Sequence, residues 1–159
     1  MKLFETASDI VELANSKFED TSLPQMGINL KVISITKAKD ILKAARANAT
    51  TEFLTKNRDV ITLFVYEEAF ERLTDEMKEK LMEGVLSNVS YDMEKDKLNV
   101  DNSKYGEFIR MRRKYADYGD VIETSVMVIE QIIEEEKQRK EEEKMRKAEE
   151  RAARKRNNS

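Results

Sequence analysis

The chain contains no histidine, no cysteine and no tryptophan, and only one proline and four glycines among its 159 residues. The first two absences exclude most zinc and thiol chemistry. Zinc sites are built chiefly from imidazole and thiolate ligands, and a thiol nucleophile needs a cysteine. They also exclude a disulfide framework, so a small secreted fold held by cross-links is not expected. A serine or threonine nucleophile would have to take a lysine or a carboxylate as its base. No Gly-x-Ser-x-Gly elbow, Gly-rich phosphate loop or dinucleotide fingerprint occurs. The scarcity of Pro and Gly points to long regular elements.

Long hydrophobic runs are missing too. No stretch approaches 18 apolar residues, so no membrane span is expected. Met1-Lys2-Leu3 is followed by Glu5 and Asp9, which leaves no apolar region for a signal peptide. The expectation from these features is a cytoplasmic compartment, or a particle assembled in one. The formal net charge of −3 suggests neither a nucleic-acid carpet nor an acidic solvating chain.

What is present is unevenly distributed. Nearly all large apolar side chains lie in residues 1–133, whereas residues 134–159 hold only Met145 and three alanines of apolar type. The sequence therefore predicts an α+β core domain over 1–133 and a charged helical extension over 134–159. Between Glu134 and Arg156 there are eight Glu and ten Lys plus Arg. Many follow the favourable order of Glu before a base at i+4, as in Glu135–Arg139, Glu136–Lys140, Glu142–Arg146, Glu143–Lys147 and Glu150–Arg154. Such pairs each add roughly 0.2–0.5 kcal/mol to a helix in water. The end is expected to fray over Asn157-Asn158-Ser159.

Within the core, Ile10, Leu13, Ala14 and Phe18 predict a helix over 6–18, with Thr6 as N-cap. A loop over 19–27 leads to a strand over Ile28–Ile35, in which Ile28, Leu30 and Val32 share a face. Residues 37–49 are rich in Ala and Lys and predict a helix, with loop over 52–58. Val60–Tyr66 is the clearest strand. It is apolar on both faces, which predicts helices on both sides of the sheet. A short helix over Glu67–Arg72 precedes one capped by Thr74, with Met77, Leu81, Val85, Leu86 and Val89 inward. A polar connection over Tyr91–Asn102 holds a short strand at Lys97–Val100. A helix over 105–116 turns Tyr105, Phe108, Met111 and Tyr115 inward. The last helix starts near Asp120 and carries the stripe Ile122, Val126, Ile129 and Ile133.

The acidic run Asp92-Met-Glu-Lys-Asp96, with Asp101 beyond it, lacks the Gly and terminal Glu of a calcium hand and reads as a solvated turn. Two basic clusters could meet phosphate or a protein partner: Arg110, Arg112, Arg113 and Lys114, then Arg151, Arg154, Lys155 and Arg156. Their bland reading is an exposed helix face and a solubilising tail.

The segment Asp59-Val-Ile-Thr-Leu-Phe-Val-Tyr66, running into Glu67-Glu-Ala-Phe70-Glu-Arg-Leu73-Thr-Asp-Glu-Met-Lys-Glu-Lys-Leu81 and on to Val89, resembles the phage metallopeptidases, small zincin-like proteins. That family has a strand, an aromatic residue, a Leu-Thr-Asp-Glu helix start and a His-Glu-Leu-x-His zinc helix, followed by an acidic turn and a further helix. Here Asp92, Lys97-Leu98, Tyr105-Gly-Glu-Phe108 and Arg113-Lys-Tyr115-Ala116 follow in that order. The resemblance covers roughly residues 30–130 and rests on order and spacing more than on rare residues. The zinc motif departs from the family: its place is taken by Gly84-Val85-Leu86-Ser87-Asn88, and the downstream ligand would fall near Ser103.

The residues themselves predict a small sheet covered by helices and followed by a long charged C-terminal helix; the resemblance implies in addition a zincin-like core. It also implies a scaffold with an erased active site. The expected role is that of a non-enzymatic phage-type structural or protein-interaction component, in the host cytoplasm or associated with the virion, with no cofactor and no bound metal. Protein partners are expected, no membrane partner is, and nucleic acid is an alternative through the basic clusters. The remaining alternative is a hydrolase with a carboxylate-bound metal.

Overall fold

The structure, a computed structural model, describes residues 1–48, 52–53 and 59–158. It is a mixed α+β fold. A four-stranded sheet has the order β1-β2-β4-β3, built from β1 (Leu3–Glu5), β2 (Asn29–Ile35), β3 (Leu42–Arg46) and β4 (Val60–Tyr66). β2 and β4 pair in parallel, Ile33 opposite Phe64, and both edge strands run antiparallel to their neighbours. A separate hairpin is formed by β5 (Val89–Asp92) and β6 (Lys97–Val100).

The helices that accompany these strands include α1 (Ser8–Glu19), α2 (Glu67–Phe70), α3 (Asp75–Leu86), α4 (Lys104–Lys114) and α5 (Tyr118–Asn157). α1 and α3 pack on one face of the sheet. α3 starts where expected, with the Thr74 hydroxyl accepting from the Met77 N–H at 3.2 Å and Asp75 and Glu76 in the first turn. α3 is the central helix. It buries Lys80, Leu81, Met82, Gly84, Val85 and Leu86, because α1, β3, α4 and α5 all lean on it.

Several expectations are corrected. The Ala- and Lys-rich stretch predicted as a helix over 37–49 contains β3 instead: Leu42 and Ala44 lie opposite Val65 and Leu63 and are buried, while Lys43 is exposed. β1 and β5 were not foreseen. α1 begins at Ser8 with Ala7 as its N-cap, and Thr6 is buried with its hydroxyl 2.9 Å from Ser34 Oγ. β4 is not buried on both faces. Ile61, Leu63 and Val65 are fully enclosed, whereas Val60, Thr62 and Phe64 on the opposite face are half-buried. The predicted loop over 52–58 lies largely outside the described residues. In α4 the inward set is Glu107 and Met111, with Phe108 and Tyr115 half-buried; Tyr105 is 75% exposed.

The last helix is rotated relative to its predicted stripe. Its buried residues are Tyr118, Val121, Val128 and Ile132. Ile122 and Ile129 are half-buried, and Val126 and Ile133 are exposed. Among residues 134–158 only Glu136 is not exposed. The first turn beyond the apolar part is nevertheless tied to the body: Arg72 makes a two-pronged bond to Glu135, at 2.9 and 2.6 Å, and Lys37 lies 4.0 Å from Glu136.

Candidate functional site

The zinc-motif positions suggested by the sequence, 84–88, fall on the last turn of α3 and just beyond it: Ser87 is the C-cap, and Asn88 lies in the short connection to β5. Gly84 faces Tyr118 so closely that a Cβ there would stand 1.9 Å from the phenol oxygen. A mid-helix glycine costs about 1 kcal/mol relative to alanine, and here it makes room for the tyrosine ring. The Tyr118 hydroxyl donates to Glu107 Oε2 at 2.8 Å, and the Asn88 amide donates to Glu107 Oε1 at 2.9 Å. Arg110 Nη2 in turn donates to Asn88 Oδ1 at 2.5 Å. Glu107 is only 8% exposed, so its carboxylate is a buried group held by two side-chain donors, as buried charge requires. Burial, together with the neighbouring Glu107 charge, pushes the Tyr118 phenol well above its usual range. Ser103 does not join this group: it caps α4, its hydroxyl accepting from the Gly106 N–H at 3.3 Å.

Beside the network opens a cleft of about 320 Å³ between the start of β3, α3, the N-terminal turn of α4 and α5. Its apolar wall is made by Leu81 and Val85 of α3 with Ile122, Val126 and Ile129 of α5; Asn88 and Glu107 line it as well. Three of the four residues that the sequence assigned to a core stripe, Ile122, Val126 and Ile129, thus line the cleft, while Ile133 is exposed. Lys39, Lys43 and Lys104 stand on the polar side, where Lys104 pairs with Asp40 at 2.9 Å.

The first basic cluster is dispersed. Arg110 is engaged by Asn88. Lys114 bonds Glu83, which also accepts from the Tyr115 hydroxyl at 2.8 Å, and its side-chain bond to Glu83 raises its pKa. Arg112 lies over the Phe108 ring, and Arg113 is exposed. In the second cluster Arg151, Arg154, Lys155 and Arg156 are all exposed on the last turns of α5. Among the described residues no group of three or more Asp, Glu, His or Cys is arranged to hold a metal ion, and no helix is long and apolar enough to cross a membrane.

One Ser-x-x-Lys spacing exists, Ser34 to Lys37, but it forms no nucleophile–base pair. Ser34 is fully buried and its hydroxyl donates to Glu67 at 2.6 Å, while Lys37 is exposed and faces Glu136. A second buried polar centre was not foreseen. Lys80 donates to Asp117 at 2.8 and 2.9 Å and to Glu76 at 2.6 Å, which raises the ammonium pKa to about 12. Its ammonium also lies over the Tyr115 ring. A sequence signal existed for Glu107, which stands four residues before Met111 and so on the inward face of α4. For Lys80 the sequence offered only the i,i+4 spacing to Glu76; its other partner, Asp117, lies in the α4–α5 connection.

Comparison with protein-family models, with curated proteins and with solved structures found no match to this chain.

Proposed function

We propose that the chain is a non-enzymatic protein-interaction component of phage type, built on a metallopeptidase-like scaffold whose catalytic centre has been replaced by packing. The observation that carries this reading is the Gly84–Tyr118–Glu107–Asn88–Arg110 arrangement. At the two motif positions where the resembling family has histidines, this chain has a glycine pressed against a tyrosine and an asparagine committed on both its oxygen and its nitrogen. These groups satisfy one another, as structural polar networks do. No nucleophile with an adjacent free base stands among them.

The projecting part of α5 supplies the interaction surface. Residues 134–157 extend for about 36 Å at 1.5 Å per residue, and Glu143 and Lys147 pair along it at 2.8 Å. The reading is tested by affinity purification of the full chain and of a chain ending at Gln138, from cells that make the partner. The expected result is a protein retained by the full chain and lost with the truncation. If instead both forms retain the same protein, the tail is not the interaction surface. If the full chain retains nucleic acid that moderate salt removes, the basic clusters are the working surface and the alternative reading is correct.

A further inference from the structure

The periodicity of α4 predicts Tyr105 inward, yet this side chain is 75% exposed. It belongs to a continuous outer face. Tyr105, Phe108, Ile109, Arg112 and Arg113 stand at i, i+3, i+4, i+7 and i+8, on the side of α4 opposite the buried Glu107 and Met111. Ile109 is 37% exposed, and Phe108 is half-buried with Gly119 of α5 behind its ring. The Arg112 guanidinium lies 5.8 Å from the centre of that ring.

The basic cluster of α4 is thereby divided. Arg110 and Lys114 are held against the body by Asn88 and Glu83. Arg112 and Arg113 stand on the outer face, and neither has an ion-pair partner among the described residues. Tyrosine and arginine are the residue types that carry much of the energy of protein interfaces. A tyrosine offers a large contact area at a small entropy cost. A guanidinium resting on an aromatic ring presents a fork of donors that matches a carboxylate. Two unpaired cations at one end of an apolar face are complementary to an occupant with acidic groups beside an apolar anchor. A nucleic-acid strand fits less well. Following its backbone takes several free cations along a groove, two of the four in this cluster are already engaged, and the net charge of the chain is −3.

We propose that the outer face of α4 docks an acidic polypeptide segment, with its apolar anchor on Tyr105 and Ile109 and its carboxylates on Arg112 and Arg113. This surface lies on the body, so it is independent of the projecting tail and is kept in a chain ending at Gln138. The test selects binders of the full chain from a displayed library of random dodecapeptides. The enriched peptides are expected to combine Asp or Glu with Leu, Phe or Trp. A synthetic copy of the strongest binder should shift the NMR signals of Tyr105, Ile109 and Arg113 in the full chain. The chain ending at Gln138 should bind it equally well.

Arg112→Gln with Arg113→Gln should weaken this peptide by about tenfold, the loss that removal of an interface anchor brings. Tyr105→Ser should weaken it by a similar factor. All three positions are exposed, so both variants should keep the Tm of the natural chain, which separates a lost contact from lost folding. No enriched peptide, a consensus without acidic residues, shifts away from α4, or equal binding by the double arginine variant would each overturn the proposal. Failure of the tail-truncated chain to bind would overturn it too and leave the tail reading standing. So would an oligothymidylate that binds more tightly than the peptide and is released by the same arginine changes, since the face would then be a nucleic-acid surface.

Discussion

Gly84 has no space for a methyl group. A Cβ would meet the Tyr118 oxygen at 1.9 Å and its ring carbon at 2.8 Å. Although alanine is the better helix former, Gly84→Ala is expected to destabilise the fold by about 1–3 kcal/mol, as overpacking does. Tyr118→Phe removes the nearest atom but leaves the buried Glu107 carboxylate one donor short, at a cost of about 1–3 kcal/mol. The two changes should couple. Gly84→Ala should cost less in the Tyr118→Phe background than alone, and urea unfolding of the four members of the cycle measures the difference. Strictly additive losses would mean that the contact is not the source of the effect.

Lys80 provides a pH test at the same scale. Its pKa is raised to about 12, first by the hydrogen bond to Asp117 and then by that to Glu76. A base whose folded pKa is raised contributes stability that is complete below its ordinary value of 10.5 and is lost as pH rises through about 12. Asp117 is shifted the other way, downward, by its bond to Lys80. Its contribution is complete above its ordinary value of 3.8 and is lost as pH falls through the lowered one. The difference in stability between the natural chain and Lys80→Met should therefore be widest near neutral pH and shrink at both extremes. A difference that stays constant from acid to alkali would show that Lys80 acts through its hydrocarbon stem alone.

At the scale of elements, the sheet has one dry face and one half-wet face, and truncations should report it. Leu63→Ala removes a fully enclosed side chain and should cost about 2–5 kcal/mol. Phe64→Ala, on the half-buried face, should cost clearly less despite the larger side chain. Denaturant unfolding that gives the opposite order would place the helices on the wrong side. The sequence showed β2, β4, β6, α1, α2, α3 and α4 because their periodicity or capping is local: Thr74 before Asp75-Glu76 marks α3 without reference to anything distant. β3 was illegible, since Leu42-Lys-Ala-Ala-Arg46 has a helical composition and becomes a strand only by pairing with β4, a tertiary choice that overrides propensity. The rotation of α5 was illegible for a similar reason. Both Val121–Val128–Ile132 and Ile122–Val126–Ile129 have core spacing, and the burial of Tyr118 against Gly84 and Glu107 selects the first set. The polar network was half-legible: Gly84 and Asn88 were singled out by position, while their partners Tyr118 and Glu107 are fixed only by the way α4 and α5 fold back onto α3.

On the scale of the whole molecule, α5 belongs to two environments. Its first half packs on the body, and its anchoring ends with the Arg72–Glu135 and Lys37–Glu136 pairs. Residues 137–158 are exposed, with no apolar stripe to bury and ion pairs that salt screens. Removing residues 140–159 should therefore leave the Tm of the body within about 2 °C, since even 1 kcal/mol would move a domain of this size by roughly 2–4 °C. A larger fall would mean that the tail docks on the body or on a second copy.

The claim that this tail reaches outward to another polypeptide is tested most directly by lysine cross-linking of the full chain in cells that contain its partner. Lys140, Lys144, Lys147 and Lys155 are expected to link mainly to a different protein, and Lys37 to link within the chain. Links running chiefly from Lys147 and Lys155 back to body lysines such as Lys43 or Lys104 would contradict it.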